Sequence, residues 1–331
     1  MTEPLTGIHH VTAIASDPQR NVDFYAGVLG MRLVKQTVNF DDPGTYHFYY
    51  GDALGHPGTI LTFFPWPGAR RGRRGAGQIG ATAFSVPVAS LGFWRERLAA
   101  SGVEVASDTR FEQDVLTFAD PDGLALELVG DAGVETIPGW EGGPVAAQHA
   151  IRGVHSVTLW EADADVTDQV LRGALGFTAV DHAGERTRYH IVESALDSDS
   201  DSTTGIPIGT RVDVLHLPGA APAAGGAGTV HHVAWRTGDR DQQQAWQARI
   251  SARGLHVTDI LDRQYFTSIY FREPGGVLFE IATDPPGFTL DEAPGALGTA
   301  LKLPPWYEEQ RALIERVLPP IRLPGREDAR G

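Results

Sequence analysis

The chain has 331 residues, 42% of them hydrophobic and 21% charged, with a formal net charge of −15. That length gives room for two domains with cores of their own, and the acidic balance excludes broad electrostatic binding to nucleic acid or an anionic membrane. Zero cysteines exclude disulfides, thiolate metal sites and cysteine nucleophiles; with no signal-like N-terminus and no apolar run of about 18 residues, a cytoplasmic location is expected.

The first element is the β-type run GIHHVTAIASD at 7–17. Asp17 stands seven residues after His10, where an N-cap belongs. Pro18 then opens a helix with Val22, Tyr25 and Leu29 on one face and Gly30 as its stop. Two further β-rich runs follow, TYHFYYGD and PGTILTFFP. The basic run Arg70, Arg71, Arg73 and Arg74 lies among glycines and reads as a solvated connector rather than an anion-binding loop. A second copy of the pattern begins at GATAFSVPV and ends at PDGLALELVGD (121–131). Residues 136–150, rich in Gly and Pro, read as a linker. GVHSVTLWEAD starts a third copy, which carries the polar insertion SALDSDSDSTTG. TVHHVAWRTGD (229–239) starts a fourth, which ends at PGGVLFEIATD (274–284).

These are internal repeats. His10, Ala81, Ser156 and His232 occupy one anchor position at a near-constant period, and each module reads as strand, helix, then about three strands. The expected fold is therefore α+β, four βαβββ modules: an N-terminal pair over 1–135, the linker, a C-terminal pair over 151–290, and a tail (291–331) with one short helix that packs across the halves.

A second anchor is a carboxylate near each module's end. Counting six residues from the turn proline gives Glu280, Glu127, Asp213 and, in the first module, Phe63. Only modules one and four offer histidine, so a two-histidine site must draw on both. If they share one cup, its four positions are His10, His232, Glu280 and Phe63. Two imidazoles and one carboxylate leave coordination positions open, as suits Fe(II) chemistry with oxygen, with Mn(II) fitting the same ligands and Zn(II) compatible by ligand type. Taking the first His of each doublet gives His155, His231 and Glu280 instead. The two sets exclude each other, because a one-residue shift turns a strand side chain to the opposite face. The count to the capping Asp favours the second His.

With these motifs in view, the chain resembles the vicinal-oxygen-chelate superfamily of glyoxalases, antibiotic-resistance proteins and extradiol dioxygenases. Its first module, and GHPGTILTFFPWP after it, is similar to the hydroquinone 1,2-dioxygenase group; HHVAWRT and GGVLFEIATD carry the likeness near the C-terminus. The resemblance implies two domains with cupped, open β-barrel-like sheets, and a ring-cleaving dioxygenase that uses Fe(II) (or Mn(II)) and O2 to open a quinol-type ring next to a hydroxyl. It implies His10, His232 and Glu280 as metal ligands, with Arg263, Tyr270, Thr12, His9 and His231 around them. The expected partners are a small aromatic substrate and O2, with a homo-oligomer left open.

The residues agree in part. Strand alternation turns Thr12 to the same side as His10. Tyr270 can donate a hydrogen bond to a substrate oxygen, and Arg263 can stabilise a phenolate. On a regular strand, His9 and His231 point away from the metal side. Two other readings stand beside this one. A glyoxalase-type isomerase or thiol transferase would add carboxylate ligands, and a metal-free protein sequestering a small aromatic or drug would hold no stoichiometric metal.

Overall fold

The computed structural model describes residues 2–191 and 208–323. The polar insertion at 194–205 lies outside the described residues. The four modules are present in order. Module one contains β1 (Ile8–Ala15), α1 (Pro18–Val22), β2 (Arg32–Asn39), β3 (Asp42–Gly51) and β4 (Ile60–Pro65). Module two contains β5 (Gln78–Val86), α2 (Leu91–Ala100), β6 (Ala106–Arg110), β7 (Gln113–Ala119) and β8 (Ala125–Gly130). Module three contains β9 (Gly153–Glu161), α3 (Ala164–Asp168), β10 (Thr178–Ala183), β11 (Arg186–His190) and β12 (Arg211–His216). Module four contains β13 (Thr229–Thr237), α4 (Arg240–Ser251), β14 (Leu261–Asp262), β15 (Thr267–Arg272) and β16 (Leu278–Thr283).

The repeated aspartates cap the helices as expected. Asp17 accepts from the Arg20 N–H at 2.8 Å, Asp163 from Asp165 at 3.1 Å and Asp239 from Gln242 at 2.9 Å. Helices α1 and α3 each continue into a π-helical turn (Asp23–Val28 and Gln169–Leu175).

The strands form two curled eight-stranded half-barrels. One has the order β14-β15-β16-β13-β1-β4-β3-β2 and the other β10-β11-β12-β9-β5-β8-β7-β6. Each sheet thus joins one module from 1–135 with one from 151–290: modules one and four in the first, modules two and three in the second. The seams are antiparallel, β1 on β13 and β5 on β9.

Both seams carry the same two irregularities. From Ile8 to His10 the partner strand advances by one residue, leaving His9 extra; from Thr12 to Ala13 the partner skips His231. In the second seam the extra residues are Gly80 and His155. Such bulges re-aim the side chains beside them.

Alternation divides each strand between two faces. In module four, Ile281 and Phe279 face α4, whose Gln243 donates to the Ile281 carbonyl at 2.7 Å, while Glu280 faces the opposite side. The largest apolar cluster includes Val11 and Trp235 of the first sheet and Phe84 and Val157 of the second. The short helix α5 (Arg311–Val317) lies in a tail that runs back over module one. There Tyr307 donates to the Phe40 carbonyl at 2.8 Å, and the Tyr46 hydroxyl to that of Pro319 at 3.0 Å. No helix among the described residues is long and apolar enough to cross a membrane.

Candidate metal centre

The seam of the first sheet brings three side chains of the sequence analysis together. His10 Nε2 lies 3.3 Å from His232 Nε2, and Glu280 Oε2 lies 2.8 Å from His232 Nε2 and 3.4 Å from His10 Nε2. All three residues are buried, and among the described residues they form the group of three potential ligands found within 4.8 Å of one another. The set built on the first His of each doublet does not assemble, because His155 lies on β9 in the other sheet.

Each ligand candidate is held from behind. His10 Nδ1 is 2.9 Å from His9 Nδ1, and His232 Nδ1 is 2.7 Å from His231 Nδ1. The bulges make these contacts: His9 and His231 do not point away as on a regular strand but turn onto their neighbours. A hydrogen on Nδ1 of His10 and of His232, given to His9 and His231, leaves the Nε2 lone pairs for a cation. Glu280 Oε1 receives the Ser268 hydroxyl.

Glu280 Oε2 is buried without a hydrogen-bond partner, although two imidazole nitrogens stand beside it. Burial alone would raise the Glu280 carboxyl, yet the charges available on His10 and His232 hold it well below the usual carboxylate range. Burial lowers His232 against the opposing pull of Glu280. Ligand atoms about 2.1 Å from one ion and at right angles stand about 3 Å apart. The observed spacings and the orphaned oxygen therefore fit a divalent cation held on one face.

The fourth position of this cup corrects the sequence reading. In three modules the carboxylate anchor pairs with the residue two beyond the first anchor: Glu280 with Ala234, Glu127 with Ala83, Asp213 with Thr158. In module one the corresponding partner of Thr12 is Thr62, not Phe63. The turn after Pro57 is one residue shorter than those after Pro121 and Pro274, which shifts the count. Phe63 faces the other side and packs on Tyr25, with ring centroids 4.4 Å apart. The cup thus offers a neutral hydroxyl where its relatives within the chain carry a carboxylate.

Above the three residues lies a cavity of about 330 Å³ with apolar walls that include Phe64, Trp66, Phe266 and Leu278. Tyr270 and Arg263 line it, and Arg263 Nε donates to the Tyr270 hydroxyl at 3.2 Å. Burial raises Tyr270, Glu280 adds to that and Arg263 opposes it, so the phenol stays neutral at physiological pH. Arg263 also pairs with Asp41 at 3.1 Å, across to module one. Thr12 is fully buried and accepts from Thr62 at 2.9 Å; His231 lines the cavity rim. Two further lining residues, His47 and Tyr49, were missed in the sequence. Their spacing of two in TYHFYYGD put them on one strand face, which was the available signal.

The family model of the Glyoxalase/Bleomycin resistance protein/Dioxygenase superfamily matches residues 7–128 and 153–281. The chain belongs to this superfamily. Within it, the chain is 46% identical over 98% of its length to "Putative ring-cleaving dioxygenase MhqO" of Bacillus subtilis, covering 99% of that protein. It is 36% identical to a chlorohydroquinone/hydroquinone 1,2-dioxygenase of Sphingobium indicum, with 93% of this chain and 94% of the relative covered. A crystal structure of a "putative dioxygenase" from Bacillus subtilis shares the fold at a TM-score of 0.89 and 45% identity, covering 97% of this chain and 99% of the other.

Proposed function

We propose that the protein is a ring-cleaving dioxygenase that opens a hydroquinol-type aromatic ring next to a hydroxyl, with O2 as co-substrate. We propose further that His10, His232 and Glu280 hold Fe(II), or Mn(II) in the same positions. The observation that carries this reading is the convergence of those three side chains beneath an apolar cavity, in a chain similar throughout to a hydroquinone dioxygenase. When bound, such a metal supplies Lewis acidity and a common template for a phenolate and O2.

The chain's own residues supply the rest. The walls at Phe64, Trp66, Phe266 and Leu278 clasp a planar ring and exclude water. With Arg263 donating to the Tyr270 oxygen, the Tyr270 O–H is left as a donor, which can turn from Ser268 to an oxygen that gains charge on the ring. Arg263 keeps that donor in place and adds a positive charge, which its neighbours Tyr270 and Asp41 keep fully protonated despite burial. His231 lines the rim, but burial pushes its imidazole down to about 3 and its Nδ1 is taken up by His232, so it positions that ligand rather than acting as a base. His9 and His231 also fix the orientation of the two ligand imidazoles, the role of an outer-shell partner. Thr62, at the fourth position, adds no charge, unlike the extra carboxylate a glyoxalase-type site would carry there.

The test is anaerobic loading with Fe(II), then an oxygen electrode with hydroquinones and catechols. Uptake of one O2 per hydroquinone, with loss of the aromatic absorbance, is expected. No uptake with any dihydroxybenzene, under Fe(II) or Mn(II), overturns the proposal.

A further inference from the structure

A ring bound through one hydroxyl leaves the other hydroxyl of a hydroquinone inside a cavity with largely apolar walls. A buried O–H without a partner costs binding energy, so the cavity needs an acceptor away from the ligand cluster. On that side Asn39 and Asp41 are already engaged, Asn39 Oδ1 by the Asp41 N–H and Asp41 by Arg263, which leaves His47 and Tyr49 on β3, two strands from β1 and about 10 Å along the sheet.

The hydrogen bonds around β3 have a definite direction. Thr62 gives its hydroxyl hydrogen to Thr12, so toward His47 it can only accept, and His47 donates from Nε2 at 2.8 Å. His47 Nδ1 is then left as an acceptor, and the Tyr49 hydroxyl, 2.9 Å away, gives it its hydrogen. The outcome is a Tyr49 oxygen whose hydrogen is already used and whose remaining lone pair is free. Tyr49 and His47 both line the cavity. Tyr49 is pinned by ring contacts to Phe266 and Phe288, so its oxygen has a fixed place. Burial keeps His47 neutral, with the nearby His10 and His232 acting the same way, and keeps the Tyr49 phenol protonated. The direction of the chain therefore persists across the physiological pH range.

We infer that Tyr49 is a specificity-determining residue that accepts the hydrogen of the ring hydroxyl which does not bind the metal, and that His47 is the positioning residue that makes it an acceptor. The inference rests on the ring-cleaving reading for the nature of the ligand. It selects para-diols, because both hydroxyls of a catechol can reach one metal whereas the second hydroxyl of a hydroquinone cannot. It also selects a hydroxyl over any group of the same size that lacks a hydrogen to give.

The experiment is calorimetric binding, under argon, of hydroquinone and of 4-fluorophenol to protein loaded with Zn(II). Fluorine is close to a hydroxyl in size but has nothing to donate. The difference in acidity between the two phenols is the same for every variant and cancels in the comparison. Wild type is expected to prefer hydroquinone about tenfold or more. Tyr49→Phe should bring that ratio close to one while leaving 4-fluorophenol affinity unchanged. His47→Leu, which keeps the phenol but frees its hydrogen, should lower the ratio by a smaller factor. A merely structural role for either residue would weaken both ligands together.

A wild-type ratio near one, or a ratio unchanged in Tyr49→Phe, overturns the inference while leaving ring cleavage standing. A Tyr49-dependent ratio in a protein that takes up no oxygen with Fe(II) or Mn(II) supports the inference and overturns the ring-cleaving reading alone. Failure of wild type to bind hydroquinone at all overturns both.

Discussion

The two half-barrels share strand order, seam geometry and paired bulges, yet among the described residues only one gathers metal-ligand chemistry. In the first sheet the anchor positions are His10 and His232, and Glu280 turns an unpaired oxygen toward them. In the second, the equivalent positions are Ala81 and Ser156, and the equivalent carboxylates are occupied. Arg110 holds Glu127 with contacts of 2.7 and 3.0 Å, and Arg188 and Arg186 hold Asp213 at 2.8 and 3.1 Å. One fold thus keeps a buried carboxylate in two ways: beside imidazoles able to share a cation with it, or in an ion pair that neutralises it within the chain. The difference lies in a few residues placed on closely similar scaffolding.

The largest expected effect is on the first sheet. His10→Ala or Glu280→Gln should remove stoichiometric metal and lower oxygen uptake by about a thousandfold or more, as measured by elemental analysis and an oxygen electrode. Tyr270→Phe should keep the metal and lower kcat by about a hundredfold, the usual effect of losing one donor to a developing anion; equal losses in metal content would contradict that role. The reverse graft sharpens the comparison. Ala81→His with Ser156→His should add no second metal equivalent, since Glu127 and Asp213 remain paired with arginine.

Removing that pairing exposes its other function. Arg110→Ala leaves Glu127 buried and unpaired, and should cost about 3 kcal/mol of stability by denaturant melt without changing activity per folded molecule. The smallest effect lies where the sheets meet. Glu161 of β9 approaches Gly275 in the turn between β15 and β16, and burial, with the charge of Glu273 added, pushes its carboxyl up to about 8. A folded value above the unfolded one means the native state holds the proton longer. Wild-type stability should therefore fall as pH rises from about 4.5 to 8. Glu161→Gln should flatten that slope, raising Tm at pH 8.5 by about 2–4 °C and leaving it unchanged near pH 4.

How much of this was legible in the sequence depends on whether local count or register decides. The four βαβββ modules showed themselves because HHV recurs with Asp at one offset, and those aspartates do cap helices. The gathering of His10, His232 and Glu280 followed from asking which modules carry histidine. The fourth position was misplaced because a turn one residue shorter moves the strand by one, and a shift of one exchanges faces: Thr62 for Phe63. The orientation of His9 and His231 was also out of reach, since it depends on bulges that exist only when two distant strands pair. His47 and Tyr49 were hidden for a related reason. Nothing in TYHFYYGD says which face of the strand meets the cavity until β4 and β1 are laid beside it.

Anomalous diffraction from crystals of the Fe(II)- or Mn(II)-loaded protein, recorded at the absorption edge of that metal, locates the ion in the molecule. A single strong peak is expected within bonding distance of His10 Nε2, His232 Nε2 and Glu280 Oε2, with none in the second half-barrel. A loaded crystal with no peak at the seam of β1 and β13, or with its peak beside Glu127 or Asp213, would contradict that expectation.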